Sequence, residues 1–204
     1  MMKHWIIILL ILAVAVFFRL YKIDSVPPGL YPDEAMNGNN AVQTIETGQY
    51  KVFYPENNGR EGMFIDLQAI SLKVFGYHIW SLRVVSAVAG ILTVLGLFLL
   101  VNRLFNWQIA ALSSYLLAIG FWHVNFSRMG FRAVMAPLLL VWGMYFLWRG
   151  LSSGRLWNFG LSAILWGLGF YTYIAFRVMP LILILTLLAY WHAAKKDFGH
   201  EKYE

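Results

Sequence analysis

Long apolar runs alternate with short polar breaks along the chain, and six runs stand out, at 5–18, 79–101, 107–122, 133–148, 157–173 and 178–191. A helix that crosses a bilayer needs about 20 mostly apolar residues. The run 79–101 meets this outright, and the shorter runs meet it if their ends extend by a few residues. The pattern predicts an all-α, polytopic transmembrane helix bundle of about six spanning helices, a single module over 1–204. One polar interval, 19–78, is far longer than the others. In it, Val26-Pro27-Pro28-Gly29 predicts a turn, because proline fixes its own φ and restrains its predecessor. Pro32-Asp33 opens a short helix that continues to Ile45 and closes near Gly48. The stretch 55–62 is rich in turn residues. Residues 63–75 then place Met63, Leu67, Ile70 and Val74 on one face, which predicts a helix lying in the membrane plane. No small-residue cleavage site follows the first run, where Phe17-Phe18-Arg19-Leu20-Tyr21 is bulky, so that run is read as a retained helix and not a signal peptide.

Composition agrees with a bilayer as solvent: 60% of residues are hydrophobic and 13% charged. Many of the nine tryptophans sit at the ends of apolar runs, where amphipathic rings settle at the membrane interface. The absence of cysteine excludes disulfides and thiolate metal sites. The net charge of +6 is spread singly between apolar runs, without the basic stripe that nucleic-acid binding needs. The short intervals 1–4, 102–106, 149–155 and 193–204 carry Lys3, Arg103, Arg149, Arg155, Lys195 and Lys196. By the positive-inside rule both termini and the tail 193–204 are expected in the cytoplasm. The loop 19–78 and the short loops 123–132 and 171–177 are then extracytoplasmic.

Acidic residues are distributed unevenly. No Asp or Glu occurs from Leu67 to Lys196, and seven of the ten acids lie between Asp24 and Asp66. A carboxylate used in catalysis would therefore come from the first loop. Asp33 and Glu34, just beyond the first helix, could supply a general base toward a hydroxyl acceptor; capping of the helix they open is the plainer alternative. Arg60 and Glu61 precede the interfacial helix and are candidates for substrate contact or, for Glu61, an N-terminal helix acid. Arg128, Arg132 and Arg177 flank apolar runs on the predicted outside, against the positive-inside bias, with no acid nearby in sequence. Together they are expected to bind an anion such as a lipid phosphate, the alternative being that they snorkel to headgroups. Arg19 and Arg83 are assigned to headgroup anchoring. No metal site and no cofactor emerges from the pattern.

Set in order, these pieces resemble the GT-C membrane glycosyltransferases, most closely the protein mannosyltransferase and aminoarabinose transferase branch, glycosyltransferase family 39. The resemblance rests on Pro32-Asp33-Glu34-Ala35, Gly59-Arg60-Glu61-Gly62, Ser81-Leu82-Arg83, and 121–128 ending Asn125-Phe126-Ser127-Arg128. It continues with Gly130-Phe131-Arg132-Ala133 and with Gly169-Phe170-Tyr171-Thr172-Tyr173 ahead of Arg177 and Pro180. It implies inverting transfer of a sugar from a polyprenyl-phosphate donor to an extracytoplasmic acceptor at the cytoplasmic membrane, with membrane lipid as partner. It places the first-loop acid at Asp33, with Glu34 beside it, and the donor-phosphate cations at Arg128, Arg132 and Arg177. Such enzymes are normally longer. A non-catalytic module that binds lipid-linked sugar and a lipid-linked-sugar transporter are the competing readings.

Overall fold

The computed structural model describes residues 2–200, and the side chains of 5–192. The expected cytoplasmic groups Lys3, Lys195 and Lys196 lie outside the described side chains. The fold is a helix bundle carrying a small folded cap. The bundle comprises α1 (Met2–Leu20), α4 (Ile79–Leu104), α5 (Trp107–Ile119), α6 (Phe121–Arg128), α7 (Met135–Ser153), α8 (Leu156–Gly169) and α9 (Pro180–His200). Between α1 and α4 lie α2 (Pro32–Thr47), a hairpin of β1 (Phe53–Tyr54) and β2 (Arg60–Glu61), and α3 (Met63–Phe75).

By length and composition, three helical segments among the described residues can cross a membrane: Ile79–Leu104, Arg132–Ser153 and Ile174–His192. The run 107–122 is not one straight helix. It breaks at Gly120, which adopts an extended conformation, and α5 and α6 meet there at 54°. Counted as one broken span, they make a fourth. Trp5–Leu20 and Leu156–Gly169 are apolar but shorter. At 1.5 Å per residue, the 14 residues of α8 reach only about 21 Å, less than a hydrocarbon core of about 30 Å. Of the six spans expected, three, or four with the bent pair, meet this length and composition among the described residues. The loop expected at 123–132 is also largely helical, since α6 occupies most of it.

Helix α4 is the hub and packs against α1, α3, α5, α6 and α7. Gly90 makes this possible: a Cβ there would lie 2.1 Å from Ser127 Oγ and 2.9 Å from Arg19 Nε. Small residues at such crossings let backbones approach where no hydrophobic force drives helices together. Leu9, Leu10, Leu112, Leu116, Ile164 and Leu185 point outward and are exposed, as side chains facing lipid are.

The cap is built from local signals. Tyr31 is the N-cap of α2, Pro32 follows in the first turn, and Glu34 reaches back to accept the Tyr31 N–H at 3.3 Å. Gly48 ends the helix in the left-handed region at φ 69°. The hairpin turn holds Asn57, Asn58 and Gly59 at positive φ. Gly62 then passes directly over the chain just ahead of β1, where a Cβ would lie 1.7 Å from the Lys51 carbonyl oxygen. Helix α3 buries Ile65, Ala69 and Leu72 against Ala41, Tyr54 and Leu82. Its other face, with Leu67, Ile70 and Val74, is exposed and apolar, as expected of a helix on a membrane surface.

Candidate active site

Helix α2 buries a polar stripe. Glu34, Asn37, Asn40 and Thr44 face inward at helical spacing. Buried polar groups need partners, and each of these has one. Glu34 is fully buried and forms a salt bridge with the equally buried Arg83, from Arg83 Nε to Glu34 Oε1 at 2.7 Å. The rest of that guanidinium donates to the carbonyls of Ile23 at 2.9 Å, Pro27 at 3.0 Å and Gly29. Arg128, from α6, donates to the carbonyls of Phe18, Tyr21 and Val26, each at 2.7 Å, and of Lys22 at 3.3 Å. Arg83 and Arg128 thus hold the irregular turn that leads from α1 into α2. Arg19 is buried too and donates to the Ala118 carbonyl at 2.9 Å, while its Nη2 lies 2.7 Å from His123 Nδ1.

A second polar cluster is more open. Arg60, at the start of β2, is 1% exposed and donates to Asn37 Oδ1 at 2.6 Å and to Asn40 Oδ1. Burial first, and then the charge of Arg132, push this guanidinium below its ordinary pKa. Glu61, next in the strand, accepts from Arg132 Nη1 at 2.9 Å and from Arg177 Nη2 at 3.5 Å. The Arg132 guanidinium also lies 5.5 Å from the Tyr173 ring centroid, within cation–π range. Asp33 points the other way from Glu34 on α2 and accepts from Asn57 Nδ2 at 2.7 Å. Asp33, Asn37, Asn57, Arg60, Phe131 and Arg132 line one polar pocket of about 20 Å³. Below it, the Tyr54 hydroxyl is 2.6 Å from Thr44 Oγ1 and donates to Asp66 Oδ1 at 3.1 Å. Burial raises the pKa of both Tyr54 and Asp66.

The fold therefore gathers Asp33, Arg60, Glu61, Arg132 and Arg177 from four separate stretches of chain. It does not bring Arg128 to them; that guanidinium is spent on four backbone carbonyls beside α1. Glu34 adjoins Asp33 in sequence but faces the protein interior. Arg132 and Arg177, which have no acid near them in sequence, are paired by Glu61 across 71 and 116 residues. Arg19 and Arg83 are not headgroup anchors but fully buried side chains. The signal that was available for Arg83 is the polar stripe of α2, whose inward carboxylate requires a buried cation. Among the described residues, no group of three or more His, Cys, Asp or Glu side chains could hold a metal ion.

Residues 63–200 match the family described as dolichyl-phosphate-mannose-protein mannosyltransferase. The chain belongs to this family. It is 25% identical over 195 residues to "Putative mannosyltransferase YkcB" of Bacillus subtilis (strain 168), covering 90% of this chain and 26% of that protein. It is 26% identical over 204 residues to "Putative mannosyltransferase YycA" of the same organism, covering 94% of this chain and 29% of that protein. The chain thus spans little more than a quarter of the length of the curated relatives it matches. Family membership and the apolar helices point to a membrane protein.

Proposed function

We propose that this chain provides the donor-phosphate and base region of a membrane glycosyltransferase that moves a sugar from a polyprenyl-phosphate carrier to a hydroxyl acceptor outside the cytoplasmic membrane. The observation that supports this most directly is the pocket in which a carboxylate, Asp33, faces the guanidinium groups of Arg60 and Arg132, with Arg177 on the far side of Glu61. In the reaction, Asp33 takes the proton of the acceptor hydroxyl. The hydroxyl oxygen bonds to the anomeric carbon, and the bond from that carbon to the phosphate oxygen breaks. Its electron pair leaves on the phosphate, where Arg132 and Arg177 meet the developing charge. Glu34, locked by Arg83, positions the helix turn that presents Asp33. Arg128 serves by holding the turn before α2, in place of the direct phosphate contact that the resemblance implies. Both termini are cytoplasmic and the cap 19–78 is extracytoplasmic in this reading.

The test is transfer of labelled mannose from a polyprenyl-phosphate donor by the protein in nanodiscs. Asp33→Asn keeps the shape and removes the base, and should lower the rate by about 10²–10⁴-fold. Near-normal turnover of that variant would remove Asp33 from the mechanism. Donor binding with no transfer by the wild type would leave the non-catalytic module as the better description. Orientation is read separately: Asn58 lies exposed in the hairpin turn, and the chain has no cysteine. Asn58→Cys in intact cells should react with an impermeant thiol reagent; protection there would reverse the orientation.

A further inference from the structure

We propose that Glu61 sets which phosphate the site retains. Its fixed carboxylate repels a doubly charged monoester more than a singly charged phosphodiester, so that the spent carrier is released. This rests on the donor-phosphate reading given above. The geometry divides the cluster into a rigid part and a free part. The Glu61 side chain is 8% exposed and held 2.9 Å from Arg132, whose side chain is 16% exposed. Arg132 is itself placed over Tyr173. The Arg177 side chain is 59% exposed, and its contact with Glu61, at 3.5 Å, is at the limit of a hydrogen bond. An incoming phosphate can therefore draw Arg177 toward itself, but it cannot displace Glu61. It must sit close to a carboxylate that stays in place.

Transfer changes the charge of what sits there. The donor is a phosphodiester with one ionised oxygen. Attack by the acceptor hydroxyl moves the sugar, leaves the electron pair on the phosphate and sends the proton to Asp33. The carrier is now a phosphate monoester, with a charge of about −1.5 to −2 near neutral pH. Arginines alone would hold this product more tightly than the donor. A fixed carboxylate a few ångströms away opposes that gain, because each added unit of negative charge beside it lowers affinity by about fivefold even in water-like surroundings, and by more where water is excluded. A Glu61 that only braced the two arginines would show no such preference between the two lipids.

The experiment measures affinity of the protein in nanodiscs for a polyprenyl phosphate and for the corresponding polyprenyl-phosphate mannose. Glu61→Gln should tighten binding of both lipids and shift the ratio of the two affinities toward the monoester by about fivefold or more. Glu61→Asp, which keeps the charge, should keep the wild-type ratio of the two affinities. An unchanged ratio in Glu61→Gln, or equal weakening of both lipids, overturns the proposal. If Glu61→Gln does not fold, the wild type decides alone: it should hold the two lipids with similar affinity, and a monoester bound about tenfold or more tighter than the diester also overturns it. Arg177→Ala separates this idea from the reading beneath it. Wild-type affinity of Arg177→Ala for both lipids means that the phosphate is not bound at this cluster, and both fall. Weakening of both lipids by Arg177→Ala, with no change of ratio in Glu61→Gln, removes only the discrimination.

Discussion

Two glutamates of the cap meet arginines brought from the bundle, and their surroundings give them different work. Glu34 and Arg83 both have fully buried side chains, and the remaining donors of Arg83 end on backbone carbonyls. Glu61 faces one largely buried arginine and one that is mostly exposed. Charge type and loop position are the same in both cases. What differs is whether any donor is left over. In the sealed pair every one is consumed, so the pair can only hold structure. In the open cluster Arg177 has a poor partner and room to move, so it can respond to a ligand. A sealed pair cannot lose one member cheaply, whereas an open one can.

The largest effect should therefore come from the sealed pair. Arg83→Met leaves Glu34 as an uncompensated buried charge, and removing one partner of such a pair costs about 3–5 kcal/mol. Thermal unfolding in detergent should show a severely destabilised protein or none at all. If Arg83→Met unfolds like the wild type, the pair is not the clamp described here. The same measurement on Arg177→Ala should show a change of at most about 1 kcal/mol, since exposed ion pairs contribute little. A collapse there would erase the contrast between the two arrangements.

A smaller effect concerns pH. Burial raises the Asp66 pKa in the folded cap above its ordinary value of 3.8. Ionising this carboxyl is thus harder in the folded state than in the unfolded one. The contribution of Asp66 to stability is complete below the unfolded pKa and is lost as pH rises through the raised one. Asp66→Asn keeps an acceptor for the Tyr54 hydroxyl and removes the ionisation. It should melt higher than the wild type at neutral pH, and the gap should close on acidification toward the ordinary carboxylate range. A gap that widens in acid would show the opposite sign of coupling.

Helices that bury one face by local rules were readable from the sequence. The bounds of α3 match the run 63–75, and α2 starts at Pro32 and stops before Gly48 because proline and glycine carry the signal within a few residues. The bend at Gly120 was not readable, since one glycine between apolar residues does not show whether the helix continues. The candidate site was legible in kind and not in pairing. Asp33, Arg60 and Arg132 do line one pocket. The partner of Arg132 lies 71 residues away, however, and no local rule connects it to Glu61. Arg128 was the least legible, because its acceptors are backbone carbonyls, which every residue carries and no sequence pattern marks.

The turn held by Arg83 and Arg128 also sets an order on biosynthesis. The carbonyl of Val26 waits for a donor 102 residues further along the chain. At ordinary elongation rates that is roughly 5–20 s of translation. During that interval α1 can already be inserted while the acid at position 33 hangs from an unfastened tether. Asp33 acquires its final address only after α6 has been made, so a nascent chain arrested before that point would carry the acid without the means to aim it.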